Sequence, residues 1–423
     1  MYYSEMSAEE KAKELKSLKE QYALLKSQNL NLNMARGVLC KEQLELSVPM
    51  LGVLAESEQC FTESGTDCRN YGVLDGIPEA KKLMADILGV TTDMIIIGGN
   101  ASLNLMYDAI MRNMVLGTEN GTEPWLKQGK IKFLCPVPGY DRHFTICESL
   151  GIEMINIPMT EEGPDMDMVE SLVASDEQIK GMWCVPKYSN PGGVVYSDEV
   201  ITRLARLKPK AEDFRIMYDN AYVIHSLYGE PAKQLNIFEE AKKYGNEDMI
   251  YEFASTSKIS FPGSGISCIA TSPANIKVIV KRMGAQTIGH DKLNQLRHVK
   301  FFKDFAGVTE HMKKHAEIIA PKFSLVVDKF EKEFAPCGIC SWSKPDGGYF
   351  VSLNVPRGCA AKVYDMMSEL GVKLTPAGAS FPYHKDPNDE NLRIAPTFPP
   401  IEELDKACDA LILCVKIAAL EQN

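Results

Sequence analysis

Seven short apolar runs, at 94–97, 131–135, 154–157, 181–186, 215–219, 250–254 and 265–270, are separated by stretches of helical periodicity. Runs of this length with few polar interruptions fit strands covered on both faces. Strands that alternate with helices are joined by crossovers, which make neighbouring strands parallel. The pattern predicts an α/β architecture: one large domain on a mostly parallel seven-stranded sheet. After about residue 302 it changes. Helices at 309–334 and 360–370 flank a short strand at 347–353, which follows a turn through Pro345, Asp346, Gly347 and Gly348, and a last helix covers 401–420. This predicts a smaller α+β domain that the N-terminal segment joins. The expected division is 66–304 for the large domain and 1–65 with 305–423 for the small one. Within the small domain 7–28 reads as an amphipathic helix, with Ser7 and Glu10 fitting a capping box and Leu15, Leu18, Tyr22 and Leu25 on one stripe.

Charge and composition exclude several function classes. A formal charge of -11 without a basic stripe argues against nucleic acid as a partner. The N-terminal helix is too short to be a DNA-binding domain. No run approaches the roughly 20 apolar residues that cross a bilayer, and no basic-then-apolar leader opens the chain, so a cytoplasmic, membrane-free protein is expected. The 12 cysteines are scattered and read as buried small hydrophobes. Cys337 and Cys340 form the only C-x-x-C pair, and without a second pair no metal is expected. His311 and His315 stand four apart on the 309–334 helix, where both could face one metal, but their charged neighbours favour a solvated helix face.

In open α/β sheets ligands bind beyond the carboxyl ends of the strands, so the residues after each run carry the functional signal. Gly98, Gly99, Asn100, Ala101 and Ser102 follow the first run and open a helix, aiming free N–H groups at an anion. Tyr140 follows the second run, where its ring could stack on a cofactor or simply fill the core. Asn190 lies in Ser189, Asn190, Pro191, Gly192, Gly193, an ordinary turn that also offers a donor. Asp219 ends the fifth run, where a buried carboxylate is costly unless paired. Lys258, in Ser255, Thr256, Ser257, Lys258, taken alone reads equally as a surface lysine.

Together, Asn100, Tyr140, Asn190, Asp219, Tyr222, Ser255 and Lys258 occur in this order, each near the end of an expected strand. The chain resembles the fold-type-I pyridoxal 5′-phosphate (PLP) enzymes of the class I/II aminotransferase superfamily. Segments 69–78, 189–193, 218–222, 255–260 and 393–396 resemble most the type Ic aspartate aminotransferases, whose catalytic domain is MocR-like. The resemblance covers the chain from about Arg36 to the final helix. It implies the PLP-dependent transferase fold and PLP as cofactor. Lys258 would form the Schiff base and move the Cα proton, Asp219 would pair with the pyridine nitrogen, Asn190 and Tyr222 would bond the ring oxygen, and Tyr140 would cover the ring. The phosphate would rest on Asn100, Ala101, Ser102, Ser255 and Ser257, with Tyr71 reaching it from a neighbouring subunit, which implies a homodimer with shared sites. Arg393 would grip the substrate α-carboxylate as a fork, with Gly37 allowing close backbone approach.

One departure stands out. Many relatives carry an Arg seven or eight residues after the lysine to neutralise the phosphate; Gly265 and Ile266 stand there in this chain, so either hydroxyls and backbone carry the phosphate or an Arg or Lys from elsewhere does, with Arg282 and Lys281 as candidates. The resemblance points to an amino acid, aspartate first, and 2-oxoglutarate as substrates, with Arg36, Lys41, Arg297 and Gln286 open as side-chain carboxylate binders. Transamination of aromatic or neutral amino acids, β-elimination, decarboxylation and a non-enzymatic cofactor sensor remain alternatives on the same scaffold.

Overall fold

A computed structural model describes residues 2–422. The seven expected strands form, as β1 (Ile95–Ile97), β2 (Lys132–Val137), β3 (Glu153–Thr160), β5 (Ile179–Cys184), β6 (Arg215–Asp219), β7 (Ile250–Ser255) and β8 (Ser267–Ala270). A two-residue strand, β4 (Gly163–Pro164), adds an antiparallel edge that is too short to leave a periodic signal. The order across the sheet is β1-β8-β7-β6-β5-β2-β3-β4. Strands β3, β2, β5, β6 and β7 are mutually parallel, while β8 runs antiparallel to both β7 and β1.

Every residue of β5 and β6 is buried, because both faces of the sheet are covered. Successive side chains alternate between two cores. Leu134, Met182, Cys184, Ile216 and Tyr218 face one cluster, and Phe133, Cys135, Trp183, Met217 and Tyr251 face the other. At roughly 1.5–3 kcal/mol per fully buried large side chain, these two layers are the main support of the sheet. Parallel register aligns the strand ends, with Cys184 opposite Tyr218 and Asp219 opposite Phe253, so the polar residues that follow emerge along one edge.

The remaining residues build a second body of packing. An antiparallel sheet of β9 (Ser341–Trp342), β10 (Val351–Asn354) and β11 (Asn391–Ile394) lies against the helices Phe305–Glu333, Ala360–Glu369 and Ile401–Gln422. Leu32–Asn33 pairs in parallel with Val372–Lys373, tying in the N-terminal segment. The helix Ala8–Lys26 carries the expected capping box from Ser7 and Glu10 and buries Leu18 against Leu413, Ile417 and Leu420 of the last helix.

His311 and His315 correct one expectation. They are 7% and 1% exposed, and their rings meet each other, Gln43, Ser47 and the carbonyl of Ile259. The charged residues around them, Glu310, Lys313 and Lys314, occupy the other faces. The apolar stripe through Val308, Met312, Ile319 and Phe323 carries the histidines inward. No group of side chains suited to a metal occurs among the described residues, and no helix among them is long and apolar enough to cross a membrane. Ten cysteines are buried and free; Cys337 and Cys340 are half-buried and also free.

Candidate active site

Strand β6 ends on Asp219, whose side chain is 4% exposed. Its Oδ2 lies 2.9 Å from Nε2 of His143, and the His143 ring stacks on Trp183 at 4.1 Å and 3° and meets Tyr140 edge-on at 5.0 Å. Its Oδ1 is buried without any partner. A buried carboxylate oxygen with no donor is costly, so the position suits a ligand that brings an N–H.

Beyond β7 the chain turns and holds Lys258 Nζ 5.0 Å from the centre of the Tyr222 ring. Burial lowers the Lys258 ammonium below the usual lysine value, and Arg393 adds to the effect against the opposing pull of Asp219. Burial, with Tyr140 and Asp219 nearby, raises the Tyr222 hydroxyl well above its ordinary value, which keeps it a donor. The Lys258 carbonyl sits 3.3 Å from His225 Nε2 and accepts from Tyr349 Oη at 3.4 Å, which fixes the turn from behind.

Arg393, on β11, is 9% exposed and lies over the Phe350 ring at 5.1 Å. Its Nη1 donates to Asp141 Oδ1 at 2.7 Å and Asn190 Oδ1 at 3.3 Å, and Nε reaches Thr375 Oγ1 at 3.4 Å. A Cβ at Gly37 would fall 2.5 Å from Phe350 Cζ, so only glycine lets that segment pass beside the ring under Arg393. Arg36 is exposed next to it.

The loop after β1 and the turn after β7 meet. Ser257 Oγ donates to the Asn100 carbonyl at 2.8 Å and Ser255 Oγ donates to Ser257 Oγ at 3.1 Å. Ala101 caps the helix Ser102–Leu116 without a side-chain bond, so the first-turn N–H groups point at this cup.

A profile of the aspartate amino-transferase family matches residues 6–423. The chain belongs to this family. An aspartate aminotransferase from Corynebacterium glutamicum is 43% identical over 404 residues, covering 96% of this chain and 93% of that protein. The crystal structure of an aspartate transaminase from the same species superposes with a TM-score of 0.97 at 41% identity, over 100% of this chain and 99% of the other. An α-aminoadipate aminotransferase from Thermus thermophilus shares the fold, with a TM-score of 0.75 at 18% identity over 93% of both chains. The protein is thus an aminotransferase with the fold-type-I architecture that the strand pattern and motifs suggest.

Within the aminotransferase, Asn100, Ala101, Ser102, Tyr140, Asn190, Asp219, Tyr222, Ser255, Ser257, Lys258 and Arg393 gather along the carboxyl edge of the sheet, while Tyr71 is 83% exposed on the surface beside Arg69 and His290. The candidate Arg282 lies elsewhere. Its Nη1 donates to the Gly117 carbonyl at 2.7 Å, at the C-terminal end of the 15-residue helix whose N-terminus forms the cup, roughly 22 Å away along the axis. Lys281 is exposed on the same helix as Arg282, and Gln286 bonds Asp108 at 2.8 Å on the outer face. Sequence reasoning missed His143 and Asp141. Both sit within three residues of Tyr140 on the first turn of one helix, a spacing that would have placed them beside it.

Proposed function

We propose that this aminotransferase moves the amino group of aspartate reversibly to 2-oxoglutarate, in ping-pong order, with PLP held at Lys258. The observation that carries the reading is the buried, donorless Asp219 Oδ1 at the strand end that Lys258 and Tyr222 also face. The residues fit PLP: the bare oxygen suits a protonated ring nitrogen, and the uncapped helix end with two serines suits a phosphate. Bound PLP supplies an electron sink conjugated with the substrate Cα.

The chain's own residues would divide the work. Asp219, held by His143, would keep the proton on the ring nitrogen. Asn190 and Tyr222 would donate to the ring oxygen, and Tyr140 would cover the ring face. Asn100, Ala101, Ser102, Ser255 and Ser257 would receive the phosphate. Lys258, its ammonium pushed down by burial, would as the free amine take the proton from the substrate Cα. Arg393 has Nη1 tied to Asp141 and Asn190, which orients the guanidinium and leaves Nη2 for the α-carboxylate. Arg36, next to Gly37 on this side of the site and without an ion-pair partner among the described residues, suits the distal carboxylate of a dicarboxylic substrate.

The exposure of Tyr71 supports a homodimer in which it reaches the phosphate of the partner's site. Two core clusters that fall mostly on either side support the division into 66–304 and the flanking 1–65 with 305–423, while Val308 and Met312 pack into the large domain's core and Tyr188, Tyr222 and Leu227 into the small one's. The cytoplasm suits such an enzyme. Adding single amino acids to the purified PLP-loaded protein and following the visible absorption tests the substrate: aspartate and glutamate should convert the bound cofactor, and conversion by alanine or tyrosine but not aspartate would overturn the assignment.

A further inference from the structure

The phosphate cup contains hydroxyls and N–H groups but no formal cation, and the surroundings of Gly265 and Ile266 leave little room for one there. A Cβ at Gly265 would lie 3.0 Å from Thr256 Oγ1 and 3.2 Å from both the Asn100 carbonyl oxygen and Ser257 N, so the strap 261–265 lies flat against the cup wall. Ile266 is 1% exposed in the sheet core. A dianion held by neutral donors alone would lack a compensating charge in this half-buried cup.

Arg297, on the helix Lys292–Phe302, braces the other side of that strap. Its Nη2 donates to Ser264 Oγ at 2.5 Å and to Asn294 Oδ1 at 2.5 Å, while Asn294 Nδ2 donates to the Gly265 carbonyl at 2.7 Å. Its Nε is buried with no acceptor, and no carboxylate pairs with it among the described residues. A half-buried guanidinium without an anion, one residue from the cup wall, is unusual, because such charges are ordinarily paired. The strap residue between it and the cup is the glycine whose absent side chain leaves that wall thin.

We propose that Arg297 is the cation that compensates the cofactor phosphate, acting through Ser264 from behind the strap, and so takes the part left vacant at Gly265 and Ile266. This rests on the reading of the site as a PLP site. It also removes Arg297 from the candidates for the substrate's side-chain carboxylate.

The test is binding of PLP, and of pyridoxal that lacks the phosphate, to apo-protein, read by absorption and fluorescence titration. Arg297→Gln should weaken PLP binding about 10- to 100-fold, the scale of one charge-assisted contact, and change pyridoxal binding by less than about twofold. Arg297→Lys, which keeps the charge, should lie within roughly threefold of the wild type for PLP. Equal losses for PLP and pyridoxal, no loss in Arg297→Gln, or a loss in Arg297→Lys as large as in Arg297→Gln would overturn the proposal. If the wild-type protein itself takes up no PLP, the underlying reading of the site fails, an outcome distinct from unchanged affinity in the variant.

Discussion

Asp219 and Arg393 show how single residues acquire a role from their surroundings. Asp219 needs the whole of β6 to be buried at its end, and His143, stacked on Trp183, to satisfy one oxygen while the other is left bare. Arg393 is oriented by Asp141, Asn190 and Thr375 over Phe350, an arrangement made for a planar fork. Arg393→Lys keeps the charge but loses the fork, so KM for aspartate should rise about 10- to 100-fold with a smaller change in kcat. Steady-state kinetics check this, and an unchanged KM would remove Arg393 from carboxylate binding. The sequence made Asp219 visible because it ends an apolar run where a charge is out of place, whereas Lys258 and Arg393 lie outside the apolar runs and were legible only through the motifs that carry the family resemblance. Asp141 and His143 sit in an ordinary polar helix start, so nothing in their own composition marks them. Arg297 shows its lack of an anion only once Ser264 is placed beside it.

At the scale of elements, the strands were legible because parallel strands buried on both faces must be continuously apolar. The short strands β4, β9 and β11 were not, since two to four residues carry no period. The helix Phe305–Glu333 was found, yet its inward face was misjudged at His311 and His315: polar rings count against burial in a pattern, while in the fold Gln43, Ser47 and the Ile259 carbonyl satisfy them. The N-terminal helix was legible from its cap, and its attachment depends on Leu18 in the seam with the last helix. Leu18→Ala should cost about 2 kcal/mol or more and release Ala8–Lys26. Limited proteolysis should then cut in the first 30 residues faster than in the wild type; equal rates would show that the seam does not hold the helix.

The whole molecule carries its buried titratable groups as a pH profile. Burial pushes His225 and His315 down to about 3 and His298 to about 4, from 6.5. Between these values the unfolded chain binds the more protons, so the histidines' contribution is present above pH 6.5 and is lost as pH falls. Glu252 has the opposite sign: burial raises it from 4.5 to about 7, so its contribution is present below 4.5 and lost as pH rises through 7. Three histidines outweigh one glutamate, giving a loss on the order of 2 kcal/mol per pH unit on acidification from 6.5 to 4.5, with stability levelling off only above about pH 7. Thermal melting across pH 4.5–7.5 measures it, and a melting temperature that is flat or rises on acidification would contradict the assignment of buried neutral histidines.

All of these parts meet at Lys258, and one measurement bears on it most directly. The purified protein, loaded with PLP, is reduced with borohydride, digested and mapped by mass spectrometry. A single reduced-cofactor adduct on the peptide carrying Lys258 is expected; an adduct on another lysine, or none, would contradict the account at its centre.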